Sequence, residues 1–238
     1  MLTMFTRRFT TMAALVALMM LGAIMPASAQ MDSTPESNAS PSSDLSDINE
    51  PDAIYGRFFM ADTNAMTTDA TPATDMEGMP PIVAIVQVYE FASDEDAESA
   101  LEPLNQALIE EIGATDAETE NVDDLGNMAV RSSGTVDESG IQANLTSLSV
   151  QQDNLVYVTV VGTMDDSSAD VATDIADHML NTEPGDAEVV FNMDGTSTGG
   201  YFDVFPVEGD DLVQGMTVSE DMYTGSEADA ASAATPTS

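Results

Sequence analysis

The sequence predicts an α+β fold, in which an antiparallel-dominated sheet carries two helices packed on one face. Runs rich in β-branched and aromatic residues, separated by turn residues, predict several short strands. Two other segments place apolar residues three and four positions apart, which predicts two amphipathic helices. Each helical segment follows a pair of predicted strands, and this order favours hairpin-built sheet over parallel crossovers.

The first half of the chain predicts two strands and then a helix. The strands are Ala53–Met60 and 82–91. Ser93 then provides an N-cap with acidic residues in the following turn, and Gly113 ends the helix. Pro103 predicts a kink or a break between these ends. The apolar face of this helix comprises Ala97, Leu101, Leu104, Leu108 and Ile112.

The second half predicts strands at 122–132, 141–150 and 155–161, with a tight turn at Asp153 and Asn154. Ser167 or Ser168 caps the second helix, whose apolar stripe includes Ile175 and Met179. Three further strands are predicted at 188–193, 201–205 and 212–218. The strand and helix beginning at 82 have a counterpart beginning at 155, which allows a degenerate strand–strand–helix–strand duplication.

Residues 1–29 have the pattern of a cleavable signal peptide. Arg7 and Arg8 precede an apolar run of thirteen residues, Ala13–Met25, and Ala27–Ala29 provides the small residues of a cleavage site. Thirteen residues are too few to span a bilayer, which takes about 20. The sequence therefore predicts export, cleavage near Ala29, a secreted, periplasmic or cell-surface location, and no membrane span in the mature chain.

The chain after position 29 is very acidic. Only Arg57 and Arg131 oppose 43 acidic residues there, which is a formal charge of −41, and the chain contains neither Lys nor Cys. A field of this sign repels nucleic acid and anionic lipid, so neither is an expected partner. The composition is typical of proteins adapted to high salt, where screening weakens the self-repulsion. Adaptation to salt and cation binding both remain open as reasons for the acidity.

The composition also divides the exported chain into three parts. Residues 30–50 and 225–238 are rich in Ser, Pro, Ala and acidic residues and have few large apolar side chains. Such segments bury too little surface to offset their ordering entropy, so we expect a disordered leader and a disordered tail. Residues 51–224 are long enough for a single α+β domain with a substantial core.

The segment from about 80 to 182 resembles exported bacterial sensor-type and lipoprotein-type α+β domains. The residues that carry the resemblance are Asp124–Ala129 (DLGNMA) and Leu148–Val158 (LSVQQDNLVYV), followed by a capped helix. The chain departs from the lipoproteins because it has no Cys to lipidate. The resemblance implies an extracellular binding or sensing role and implies no catalytic residues.

Hydrolysis is an alternative that depends on two candidate groups. Gly195–Gly199 matches the G-x-S-x-G pattern with Ser197 as nucleophile, and that chemistry needs a strand-to-helix turn after the Ser. The residues that follow predict a strand instead. His178, the single histidine, lies one helical turn after Asp174, and an Asp–His pair can orient a general base. A hairpin loop at Ser197 and a structural position for His178 explain both features without catalysis.

A third alternative is an extracellular metal binder. Met76 and Met79 could supply thioether ligands to a soft ion such as Cu(I), although methionine also fills cores and loops. Asn192–Gly195 contains a fragment of a calcium-loop pattern, and several acidic pairs could contribute carboxylates. With 43 acidic residues in the chain, such pairs are expected on a solvated surface.

The sequence therefore favours a secreted, acidic, non-enzymatic module that binds or senses an extracellular ligand or protein. We expect no cofactor and no metal. The sequence does not identify the ligand, the oligomeric state, or the export route.

Overall fold

A computed structural model describes residues 50–61, 82–138, 141–186, 188–192 and 196–225. Its centre is a seven-stranded sheet whose strands are β1 Ala53–Ala61, β2 Val83–Glu90, β3 Thr115–Asn121, β4 Met128–Glu138, β5 Ile141–Gln152, β6 Leu155–Thr163 and β9 Met216–Gly225. Their order is β3-β4-β5-β6-β2-β1-β9, and every neighbouring pair is antiparallel. The predicted α+β class and antiparallel sheet are confirmed. The predicted signal peptide (1–29), the predicted leader (30–50) except Glu50, and the predicted tail (225–238) except Gly225 lie outside the described residues. Gly225 is the last residue of β9, so the ordered domain extends one residue further than predicted.

Two α-helices and several short elements complete the described part. Helix α1 is Asp94–Ile112 and helix α2 is Ser168–Asn181. A two-stranded ribbon pairs β7 (Val190–Phe191) with β8 (Ser197–Thr198). Two 3-10 helices follow at Gly200–Val204 and Asp211–Val213. Neither α-helix is long and apolar enough to cross a bilayer, among the residues described.

Helix α1 begins and ends as the sequence predicts but is not broken in between. The Ser93 hydroxyl accepts a hydrogen bond from the Asp96 amide, and Gly113 ends the helix with a φ of 76°. The predicted break at Pro103 is wrong, because one uninterrupted helix contains this residue. Leu101 and Leu108, on either side of Pro103, are both buried, so packing stabilises the helix on both sides of the proline.

The two α-helices lie on opposite faces of the sheet, which corrects the prediction that both pack on one face. Alternate residues of β5 contact different helices, because successive side chains of a strand point to opposite sides. The Ser149 hydroxyl accepts a hydrogen bond from Asn105 of α1, whereas the Thr146 hydroxyl is 2.9 Å from that of Ser168 of α2. The cause lies in the central strand β6, whose nine residues are all buried, so each face needs a covering layer.

The same arrangement speaks against the predicted internal duplication. Strands β2 and β6 are antiparallel neighbours, so a twofold axis perpendicular to the sheet would exchange them. That axis would leave both following helices on the same face, but α1 and α2 lie on different faces. The two segments therefore share an order of elements without sharing a three-dimensional arrangement.

A polar network fastens α1 to the sheet. The buried Asn105 amide group donates to the carbonyl oxygens of Val130 and Ser147 at 3.2 and 3.1 Å, and its carbonyl oxygen accepts from Ser132 at 2.5 Å. These contacts satisfy a polar side chain that would be costly to bury alone. They also fix the position of the helix along β4 and β5.

Candidate functional site

Three tyrosines form a line across the sheet on the face that α2 covers. Tyr223 of β9 lies opposite Tyr55 of β1, Tyr55 lies opposite Val88 of β2, and Val88 lies opposite Tyr157 of β6. Residues directly opposite one another in antiparallel strands point to the same face. The strand register therefore brings together side chains that are more than sixty residues apart in the chain.

A fourth tyrosine completes the group from above the sheet. Tyr201 belongs to the 3-10 helix Gly200–Val204, and its ring centroid lies 5.2 Å from that of Tyr55 in an edge-to-face arrangement. The Tyr223 ring is 4.8 Å from Tyr55 on the other side. Such edge contacts orient the rings and add to the energy of burial. Glu90, the last residue of β2, is on the same face one step nearer the sheet end. We call Tyr55, Tyr157, Tyr201, Tyr223 and Glu90 the tyrosine site.

Glycines make room for two of these rings. A Cβ at Gly225 would lie 2.5 Å from the Tyr223 hydroxyl, so this ring extends over a position without a side chain. A Cβ at Gly200 would lie 3.0 Å from the Tyr55 ring, and Gly200 also has a φ of 54°. The turn into the 3-10 helix thus needs glycine both for its conformation and for its approach to Tyr55.

Burial raises the pKa of three tyrosines of the site, Tyr55, Tyr157 and Tyr201. It raises the pKa of Tyr55 well above 10, and the neighbouring Tyr223 and then Glu90 add to this rise. Burial, with contributions from Tyr201 and Asp153, raises the pKa of Tyr157 to about 12. The pKa of Tyr201 is raised by burial and then by Glu90. The site therefore offers neutral hydroxyls and aromatic rings beside a carboxylate.

The site reaches the surface at one end. Tyr201 and Tyr223 are half-buried, while Tyr55 and Tyr157 are buried. Next to Tyr223 lies Phe191 of β7, with ring centroids 6.2 Å apart, and half of Phe191 (50%) is exposed. Aromatic side chains are enriched in binding surfaces.

A buried ion pair positions the ribbon that carries Phe191. Arg57 of β1 lies opposite Asp221 of β9, and the two side chains are 5% and 1% exposed. Arg57 also donates to the carbonyl oxygen of Ser197 in β8, at 2.8 Å. The Ser197 amide in turn donates to the Asp221 carboxylate. Strand β8 is thereby fixed over β1 and β9, and β7 is fixed with it.

The residues predicted for hydrolysis lie in separate elements, Ser197 in β8 and both Asp174 and His178 in α2. Ser197 is buried in β8, and its backbone amide and carbonyl belong to the network around Arg57 and Asp221. His178 is half-buried on α2, whereas Asp174 is exposed. Both ion pairs found among the described residues involve arginine, so Asp174 and His178 do not form the expected pair. The residues after Ser197 form a 3-10 helix in place of the predicted strand.

Most of the residues predicted for metal binding lie outside the residues that the structure describes. Met76 and Met79 lie outside the described residues, as do Asp194 and Gly195 of the calcium-loop fragment. In the described part of the chain, no three His, Asp or Glu side chains are grouped so that they could hold a metal ion.

Comparisons with known proteins add little. No protein-family model matches the chain, and no curated protein matches it. Among solved structures, the chain is similar to PA94 from Pseudomonas aeruginosa, which is described as a protein of unknown function. The match has a TM-score of 0.30 and 15% identity, and it covers 58% of this chain and 87% of PA94. A likeness at this level supports no conclusion about function.

Proposed function

We propose that the protein is a secreted, acidic, non-enzymatic module that binds or senses an extracellular ligand through the tyrosine site. The observation that carries the proposal is the row of tyrosines that the strand register assembles, ending at the half-exposed Phe191. Aromatic side chains give a binding surface a large contact area at low entropic cost. The hydroxyls of Tyr201 and Tyr223 add polar groups that can orient a ligand.

The rigidity of the surroundings supports this proposal. The Tyr55 ring packs against the rings of Tyr201 and Tyr223. The Arg57–Asp221 ion pair fixes the position of the β7–β8 ribbon, which carries Phe191. A preorganised site loses little conformational entropy when it binds.

Mapping of small-molecule contacts by NMR tests the proposal. Purified, isotope-labelled protein would be titrated with separate probes: a phenol, a disaccharide and an alkylammonium salt. We expect saturable shifts from at least one probe, concentrated at Phe191, Tyr201 and Tyr223. Phe191→Ala and Tyr223→Ala should weaken binding, whereas Tyr89→Phe, on the opposite face, should not. The proposal fails if every probe leaves the site unchanged or if the shifts are centred elsewhere.

Two further measurements address the export and non-enzymatic parts of the proposal. N-terminal sequencing of protein recovered outside the cell should begin at Gln30, and a chain that keeps Met1 would contradict cleavage. An ester-hydrolysis screen should find no activity that depends on Ser197 or His178. Activity lost in both Ser197→Ala and His178→Ala, with folding unchanged, would favour the hydrolase instead.

A further inference from the structure

The tyrosine site combines aromatic ring faces with a carboxylate that has no cationic partner in the described part of the chain. Glu90 is partly buried beside Tyr55 and Tyr201. The two ion pairs among the described residues are Arg57–Asp221 and Arg131–Glu120, and neither includes Glu90. A carboxylate without a counter-charge attracts an incoming cation.

The aromatic rings select among cations. Their faces carry partial negative charge, so they attract a cation that has lost its water. Small inorganic ions hold their water strongly, and no carboxylate cluster is present here to replace it among the described residues. Alkylated ammonium groups are weakly hydrated and present apolar surface to the rings. The field of a chain with a formal charge of −41 after position 29 further favours cations and repels anions.

From these features we infer that the ligand of the tyrosine site is a small organic cation of the alkylammonium class. The inference rests on the proposed function, since it names the ligand class of the same site. The alkyl groups lie against the rings of Phe191, Tyr201 and Tyr223, and the positive charge faces Glu90. Neutral sugars and aromatic molecules can contact the same rings, but they would leave the charge of Glu90 uncompensated.

A matched pair of ligands isolates the role of charge. Choline and 3,3-dimethyl-1-butanol have nearly the same shape, but only choline is charged. Both would be titrated into purified protein by calorimetry, with binding located from the ring resonances of Tyr201 and Tyr223. We expect choline to bind about tenfold more tightly than the neutral isostere. Equal affinities for the two molecules would overturn the inference.

Variants then distinguish this site from general attraction to an acidic protein. Glu90→Gln should weaken choline binding severalfold, whereas Glu118→Gln on the exposed edge strand β3 should not. Phe191→Leu keeps an apolar group but removes the ring, and it should also weaken binding. Equal effects of Glu90→Gln and Glu118→Gln would mean non-specific counter-ion binding and would refute the inference.

The same experiments separate failure of the inference from failure of the proposed function. If the disaccharide or the phenol binds at the tyrosine site and choline does not, the ligand class is wrong and the binding function stands. If none of the probes perturbs Phe191, Tyr201 or Tyr223, both proposals fail.

Discussion

Arg57 donates two parallel hydrogen bonds to the Asp221 carboxylate, from Nε to Oδ1 at 2.8 Å and from Nη2 to Oδ2 at 2.9 Å. The pair joins β1 to the edge strand β9 directly before a register shift between Phe58 and Phe59. The Arg57 guanidinium also lies over the rings of Phe202 and Phe205, 6.0 and 5.8 Å from their centroids. Arg57, one of the two arginines after position 29, thus joins β1 to β9 and β8, the strands that surround the tyrosine site.

Removing Arg57 should destabilise the protein strongly. Arg57→Met leaves the buried Asp221 carboxylate without its cation, which typically costs about 3–5 kcal/mol in the free energy of unfolding. Arg131→Met is the matched control, because the Arg131–Glu120 pair is 27% and 62% exposed. Its loss should cost less than about 1 kcal/mol. Urea unfolding measures both, and similar losses in the two variants would contradict a structural role for the buried pair.

Most elements of the fold could be predicted from the sequence because they are amphipathic or continuously apolar. This holds for β1, β2, β5, β6 and both helices. The edge strand β3 is not predictable in this way, because its residues are all exposed and its sequence, TDAETEN, lacks the apolar alternation of a strand. It is a strand because it pairs with β4, which is a tertiary effect.

The segment from Tyr201 to Phe205 is predicted to be a strand but does not form one. Its aromatic and β-branched residues predict a strand, but it forms a 3-10 helix. Gly199 and Gly200 both adopt positive φ angles, and the Asp203 carboxylate accepts a hydrogen bond from the Gly199 amide. This local turn geometry overrides the strand propensity.

The tyrosine site itself could not be predicted from the sequence. Its members come from β1, β2, β6, β9 and a 3-10 helix, and only the strand register aligns them. Pairing register depends on the whole sheet and is not readable from separate segments. All five tyrosines lie within two residues of a strand end or in a 3-10 helix, so this placement does not separate Tyr89, on the opposite face, from the four tyrosines of the site.

Gly199 should tolerate alanine much less well than Gly209. Both residues have positive φ angles, 84° and 91°, so both substitutions incur backbone strain. A Cβ at Gly199 would also collide with the Glu188 carbonyl oxygen, while a Cβ at Gly209 would meet nothing within 4 Å. We expect Gly199→Ala to lose about 1–3 kcal/mol more stability than Gly209→Ala. Equal losses in thermal unfolding would show that the turn can shift to accept a side chain.

Alkaline titration should reveal the buried tyrosines. Burial raises the pKa of Tyr55, Tyr89, Tyr157 and Tyr201, for Tyr157 to about 12. An unfolded tyrosine ionises near pH 10, so folding favours the protonated form and ionisation opposes folding. The stability from these groups is complete below pH 10 and is lost as the pH rises toward 12 and beyond.

Ultraviolet absorbance of phenolate measures the pH at which the tyrosines ionise, and so detects the raised pKa values directly. Folded protein should titrate at higher pH than protein in urea, and Tyr157→Phe should remove one of the delayed groups. Coincident titration curves of folded and unfolded protein would contradict the burial of these hydroxyls.

Stability should rise with salt concentration because the chain repels itself. Outside residues 1–29, two arginines oppose 43 acidic residues, and both arginines are engaged in ion pairs. Salt shortens the range of repulsion to about 3 Å at 1 M. The midpoint of thermal unfolding should therefore increase from low to molar NaCl. Sucrose stabilises without screening, so it separates charge from general solute effects. Glu118→Lys on the exposed edge strand β3 should reduce the salt dependence, and a midpoint that is flat or falls with NaCl would refute the prediction.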